Sequence, residues 1–280
     1  MFGKLVKKSL SVEKLQRRAH GGVYSSVHGF SHDEVRQKLE AFPGGSIDLL
    51  KQDSGLAVMT INNPSRMNAF SGSMMVDLEE KVTQLENWTN GKSLIVRGAA
   101  ETFYLFFSRC VPRCRLPLVS VAVVEGKALG GGAELTTACD FRLMAPGSVI
   151  QFVHKHMGLV PGWGGAARLV HLVGSQNALK LLGGAVKVDS ELGLHMGLAD
   201  GVLEDHQGAG GADTVLQQAE DWLSRYTRGP APVIQAVKKV VLSGRELPLS
   251  EALRTEKNVF GTVWGAAANL EALASKSKHR

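Results

Sequence analysis

The segment Ala128-Leu129-Gly130-Gly131-Gly132-Ala133-Glu134-Leu135 brings together groups that can do chemistry. A glycine run that opens a helix leaves the first N–H groups without intrahelical partners, beside the positive end of the helix dipole. Glycine also lets a ligand come close to that backbone. Such a place suits a phosphate or a developing oxyanion. Tight helix–strand packing would call for the same residues. The run is not a dinucleotide fingerprint, because no Gly-x-Gly-x-x-Gly with a downstream ribose acid occurs, and no Lys-Ser or Lys-Thr pair follows to make a P-loop. Glu134 stands one helical turn beyond Gly131, where a carboxylate can act as acid or base, or simply complement the dipole. His154 follows an apolar strand and is either a proton-transfer group or an ordinary polar strand end. His154 with His156, and Cys110 with Cys114, gain no further ligand at metal-binding spacing.

These residues need a scaffold, and the flanking pattern supplies one. Gly55 to Ile61, Ser93 to Arg97 and Leu118 to Val124 read as buried strands. Between the first two, Met75, Leu78, Val82, Leu85 and Trp88 recur at helical spacing, with Ser71 or Ser73 as cap and Gly91 as stop. Ala128 to Leu135 reads as the start of a further helix, Phe141 to Met144 and Ser148 to Val153 as short strands. Pro161 to Gly165 is a loop leading into a helix through Arg168 and Val173. From about Asp213 the pattern is helical, with apolar faces at Val215, Ala219 and Trp222, at Val233, Val237 and Val240, and at Ala252, Phe260 and Val263. The expectation is an α/β body with strands buried on both faces and a helical C-terminal region. Its divisions are a peripheral segment over 1–45, a core over 46–212 and a helical region over 213–280.

The composition bounds the function. The chain has 280 residues, 44% hydrophobic and 21% charged, which is globular and long enough for a sizeable core. The most apolar stretch, Leu116 to Val124, is far shorter than the roughly 20 residues of a membrane helix. Three cysteines give no disulfide framework and favour a reducing compartment. Residues 1–30 carry six Lys or Arg against Glu13, so nearly all of the net +6 sits there. That location argues against a nucleic-acid partner, and the stretch is either a mitochondrial presequence or a solvated terminus. The cytosol is the expected compartment, the mitochondrial matrix the alternative.

Five motifs in order resemble the crotonase (enoyl-CoA hydratase/isomerase) superfamily. They are Asn63 to Phe70, Ala128 to Glu134, Ala138-Cys139-Asp140-Phe141-Arg142, Pro161-Gly162-Trp163-Gly164-Gly165 and Gly197 to Val202. The resemblance runs from about Ile47 to the C-terminus. It implies a spiral of ββα units, a helical region that drives trimer or hexamer formation, and an acyl-CoA substrate with no metal or organic cofactor. Backbone N–H groups would hold the thioester oxygen, one of them from Gly131. Arg66, Met67, Asn68 and Ala69 match the CoA-contacting loop, Gly130 and Trp163 match substrate-contacting positions, and Lys276 matches a basic helix that reaches CoA phosphates. Phe42 to Leu49, Ser65 to Ser71, Glu134 to Met144 and Phe152 to Lys155 are similar to members that decarboxylate ethylmalonyl-CoA and, second, methylmalonyl-CoA. Hydratases place a second glutamate seven residues before the proline of the Pro-Gly loop, where this chain has His154. That implies a decarboxylase in which Gly131, Glu134 and His154 serve the enolate. Glu134 would position or assist proton transfer, and His154 would pair with the departing carboxylate or protonate carbon.

One departure carries its own expectation. Only 19 residues, Ala99 to Pro117, join two strands that the family separates by more than twice as many. Glu101-Thr102-Phe103 begins the expected turn, but no residue after it can be assigned as the first oxyanion donor. The implied outcome is a chain that folds yet decarboxylates poorly. Two other readings stay open: a hydratase or isomerase using Glu134 alone, and an inactive subunit that binds acyl-CoA.

Overall fold

A computed structural model describes residues 32–105, 116–204 and 211–277. The chain divides into two compact units, residues 1–38 and 39–280. Helix α1 (His32–Glu40) crosses the division, and the basic stretch at 1–30 lies outside the described residues. The second unit holds every other described element.

Six strands form its main sheet in the order β1 (Ser46–Lys51), β2 (Leu56–Asn62), β3 (Ser93–Gly98), β5 (Val119–Val124), β7 (Phe141–Met144) and β9 (Gly201–Val202). β1 is antiparallel to β2, and every other pairing is parallel. A second, smaller sheet of parallel strands has the order β4 (Thr102–Leu105), β6 (Lys127–Gly130) and β8 (Val149–Gln151). Helix α2 (Gly72–Glu86) follows β2, α3 (Gly131–Thr136) follows β6, and α4 (Gly165–Gly184) follows β8. From β3 onward, consecutive strands alternate between the two sheets, and the pairs β5–β6 and β7–β8 each lead to a helix. This alternation is the expected ββα spiral.

The strands repeat with period two, and both sets of side chains are buried. Leu56 and Val58 join Ile95, Val121, Val123 and Leu143 in one cluster, while Ala57, Met59 and Ile61 join Leu94, Val96, Ala122 and Val124 in the other. A sheet covered on both faces needs such runs of Val, Ile and Leu. The second cluster also takes Met74, Leu78, Val82 and Leu85 from α2. Ser71 caps that helix, accepting the Met74 N–H at 3.2 Å, and the helix ends at Asn87 rather than Gly91. Gly91 packs instead against the Trp88 ring, where a Cβ would stand 2.6 Å away. β6 is a correction: the sequence pattern suggests a helix from Ala128, but the chain stays extended through Gly130. Gly130 both ends the strand and caps the helix, so the glycine run hides the boundary.

The C-terminal part contains α5 (Ser190–Met196), α6 (Gly211–Thr227), α7 (Ala231–Glu246), α8 (Leu249–Val263) and α9 (Ala267–Ser277). Ala219 and Leu223 of α6 complete the first cluster. Two polar clamps hold α7. Gln235 Nε2 donates to the carbonyls of Trp88, Thr89 and Gly91, and buried Lys238 pairs with Asp140. Asp140 in turn accepts the Ser120 N–H and hydroxyl at 2.8 and 2.9 Å. α7 and α8 bury Ile234, Leu242, Ala252 and Val259, yet further apolar residues on them and at the end of α8 stay outside. Val237, Val241, Leu249, Leu253, Phe260 and Trp264 are all more than half exposed. Among the described residues, no helix is long and apolar enough to cross a membrane.

Candidate active site

β6 delivers the glycine run to the start of α3. Gly130, the N-cap, has φ 56° and ψ −121°, a conformation for which glycine is suited, and Gly131, Gly132 and Ala133 behind it are buried. In the small sheet, Leu105 at the end of β4 lies opposite Gly130. β4 is thus present beside the glycines. The segment after it, 106–115, with Cys110, Cys114 and the arginines at 109, 113 and 115, lies outside the described residues.

The Glu134 side chain turns into the protein and is 2% exposed. Four donors converge on it. Oε1 receives His154 Nε2 at 2.8 Å and the Gly162 N–H at 3.3 Å; Oε2 receives the N–H groups of Trp163 at 2.9 Å and Gly165 at 3.0 Å. Burial pushes the carboxyl pKa up, but the hydrogen bonds from His154, Trp163 and Gly165, with the histidine's charge, outweigh it and hold the pKa below the ordinary value. Glu134 is therefore a buried anion that fastens the Pro161–Gly165 loop. The fit is close, for a Cβ on Gly165 would stand 2.4 Å from Glu134 Cγ and 2.6 Å from Oε2. Arg168 reinforces the junction from α4, donating to Thr137 Oγ1 at 3.0 Å and to the Glu134 carbonyl at 3.2 Å.

His154 opens a short 3₁₀ turn, His154–Met157, after β8. It is 7% exposed. A carboxylate only accepts, so Nε2 carries the hydrogen that faces Glu134. Nδ1 is buried and has no hydrogen-bond partner among the described residues. In the neutral ring that atom is a lone pair; in the imidazolium it is an N–H.

The remaining sequence-derived positions divide by burial. In the loop after β2, Arg66 and Met67 are exposed, Ala69 is half-buried and Asn68 is fully buried, its side chain bonding within the loop to the Asn63 N–H. Phe70 meets the half-buried Trp163 edge to face at 6.1 Å, which links this loop to the one fastened by Glu134. Lys276 lies in the last turn of α9. The structure thus brings together Gly130, Gly131, Glu134, His154 and Trp163. Sequence reasoning did not identify the amides of Gly162, Trp163 and Gly165 as the carboxylate's partners, because backbone donors have no residue signature. Among the described residues no group of three or more His, Cys, Asp or Glu is arranged to hold a metal ion.

Comparison with known proteins agrees with this architecture. The enoyl-CoA hydratase/isomerase family profile matches residues 111–275. A zebrafish (Danio rerio) protein named ethylmalonyl-CoA decarboxylase is 60% identical over 88% of each chain, and one of the same name from Xenopus tropicalis is 54% identical over 92% of each. The rat (Rattus norvegicus) protein of that name is 50% identical over 301 aligned positions that take in 100% of this chain and 99% of its own. This chain has 280 residues, so at least 21 of those positions have no counterpart in it. Among solved structures, an enoyl-CoA hydratase from Bacillus anthracis superposes with a TM-score of 0.71 at 21% identity, covering 84% of this chain and 96% of its own. One from Thermoplasma volcanium does so with 0.70 at 20%, covering 82% and 96%. By profile, by relatives across nearly its whole length and by fold, the chain belongs to the enoyl-CoA hydratase/isomerase family.

Proposed function

We propose that the chain is a carboxy-lyase that decarboxylates ethylmalonyl-CoA, and more weakly methylmalonyl-CoA, through a thioester enolate. The relatives named ethylmalonyl-CoA decarboxylase, at 50–60% identity across nearly the whole chain, support the substrate. The observation that carries the mechanism is the Glu134–His154 pair, with one imidazole nitrogen fixed by a buried carboxylate and the other without a partner among the described residues. Cleavage of the bond to the carboxylate releases CO₂ and leaves its electron pair on the α-carbon and the thioester oxygen. The Gly131 N–H, aided by the dipole of α3, meets that oxygen; one such donor is worth about 3 kcal/mol in barrier. His154 as imidazolium gives Nε2–H to Glu134 and turns Nδ1–H to the substrate. It first pairs with the departing carboxylate, then passes the Nδ1 proton to the α-carbon, yielding butyryl-CoA. The ring recovers its proton from solvent. Glu134 stays ionised throughout and acts as a positioning group and counter-ion. No step calls for a metal or an organic cofactor.

The loop Arg66–Ala69, with Gly130, Trp163 and Lys276, would hold the CoA and acyl parts. The exposed apolar faces of α7 and α8 support assembly into a homotrimer or hexamer. The test is to incubate the purified chain with ethylmalonyl-CoA and follow butyryl-CoA. Hydration of crotonyl-CoA in its place would favour the hydratase reading.

A second reading, an acyl-CoA-binding subunit with little turnover, is favoured by the positions missing relative to the rat protein and by the short β3–β5 connection. A thermal-shift titration in which CoA stabilises the chain while no butyryl-CoA forms would select it.

A further inference from the structure

The loop between β2 and α2 is built around a side chain that its own exposure hides. Pro64, Ser65, Arg66 and Met67 are exposed, yet Asn68 is fully buried. Its backbone is left-handed, with φ 58°, which asparagine tolerates better than most residues. The Oδ1 atom accepts the Asn63 N–H at 2.7 Å, and the Asn68 N–H donates to the Asn63 carbonyl at 2.8 Å. Asn63 Nδ2 closes the loop on the Ala69 carbonyl at 2.7 Å. These bonds suffice to shape the loop. A bond also leaves the loop: Asn68 Nδ2 donates to the carbonyl of Ala99, 31 residues along the chain.

Ala99 is the first residue after β3. Ala100 is left-handed at φ 50°, and β4 then runs beside β6 until Leu105 faces Gly130. A continuous path therefore joins the exposed loop, through one buried amide, to the strand flanking the glycine run. We propose that Asn68 is a positioning residue that couples the CoA-contacting loop to the β3–β4 turn, so that the CoA part and the thioester of one acyl-CoA are held in register. The proposal rests on the acyl-CoA reading given above. Two loops held in register engage both ends of a ligand together; released, each still binds its own end, but the advantage of binding both is reduced.

Asn68→Asp separates the two roles. It keeps an acceptor for the Asn63 N–H and tolerance of the left-handed backbone, removes the donor to Ala99, and sets a carboxylate oxygen against that carbonyl. Calorimetric Kd values for free CoA and for butyryl-CoA, measured on the full chain, give the readout. The expected result is a Kd for CoA within about twofold of the parent, with the affinity ratio of butyryl-CoA to CoA reduced about tenfold. Where turnover is measurable, kcat falls more than KM changes. If Asn68→Asp fails to fold, Asn68→Gly, which suits the same φ, is read by the same ratio and should lower it equally while also weakening CoA. An unchanged ratio in whichever variant folds would overturn the coupling and leave the acyl-CoA reading standing. A parent chain that binds neither CoA nor butyryl-CoA would overturn both.

Discussion

Glu134→Gln is the sharpest perturbation of the site. The carboxylate accepts from four donors, and an amide of the same shape offers one oxygen and one NH₂ group. The Trp163 and Gly165 N–H groups cannot change role, so the amide oxygen stays with them. The NH₂ group then faces His154, which can accept only by shifting its hydrogen from Nε2 to Nδ1. The substitution thus reverses the tautomer and removes the imidazolium's counter-ion, while the Gly162 N–H loses a bond that was already the longest, at 3.3 Å. A hydrogen bond to a charged group contributes about 1.5–3 kcal/mol. At 1.36 kcal/mol per decade, losing one such bond from the His154 ring corresponds to about a 10- to 100-fold change in rate. The expectation is a kcat lower by that factor, with KM little changed. The assay is a pH profile of butyryl-CoA formation by parent and variant, with ¹⁵N spectra of the His154 ring. A variant with the parent's kcat, profile and tautomer would refute the positioning role.

Other consequences can be checked beside it. Glu134 ionises at lower pH in the folded chain than in the unfolded one, so its bonds stabilise the fold fully above the unfolded carboxyl pKa and are lost as pH falls through the depressed folded value. Denaturant titrations from pH 6 to pH 3, where ~4.3 is the ordinary glutamate value, should therefore show a shallower acid limb for Glu134→Gln. Gly165→Ala puts a methyl 2.4 Å from Glu134 Cγ and should cost about 1–3 kcal/mol in chemical denaturation, with decarboxylation falling alongside. Gly131→Pro removes the candidate donor at a helix position that tolerates proline, and should lower turnover about 10²–10³-fold without loss of CoA binding in a thermal-shift titration. Lys238→Met strands Asp140, which keeps its Ser120 bonds, so the loss should lie near the lower end for a broken buried pair, about 3 kcal/mol by denaturant midpoint.

Much of the body is legible from residue pattern alone. β2, β3 and β5 announce themselves because a strand buried on both faces must be apolar throughout, and α2 because Ser71 and its 3–4 spacing mark both its start and its face. β1, β4 and β6 are not legible. β4 begins directly after the turn Ala99–Glu101, β6 ends on the N-cap glycine of α3, and β1 alternates buried Ile47 with exposed Asp48 and Leu50, too short a pattern to stand out. The site divides in the same way. Glu134 and His154, 20 residues apart, could be placed in one pocket by motif resemblance, and they lie 2.8 Å apart. That Glu134 is a saturated hub is a different matter, since three of its four donors are backbone amides of residues chosen for their turn. Asn68 shows the opposite limit: its place in an exposed motif says nothing of the bonds its buried side chain makes to Asn63 and Ala99.

The most direct test of the decarboxylase reading is mass-spectrometric product analysis of the purified 280-residue chain supplied with ethylmalonyl-CoA in D₂O. The predicted result is butyryl-CoA carrying one deuterium at the α-carbon, formed more slowly than by the Xenopus tropicalis relative, and about 10²–10³-fold more slowly still by Gly131→Pro. Ethylmalonyl-CoA recovered intact, or crotonyl-CoA hydrated at a rate that Gly131→Pro abolishes, would contradict it.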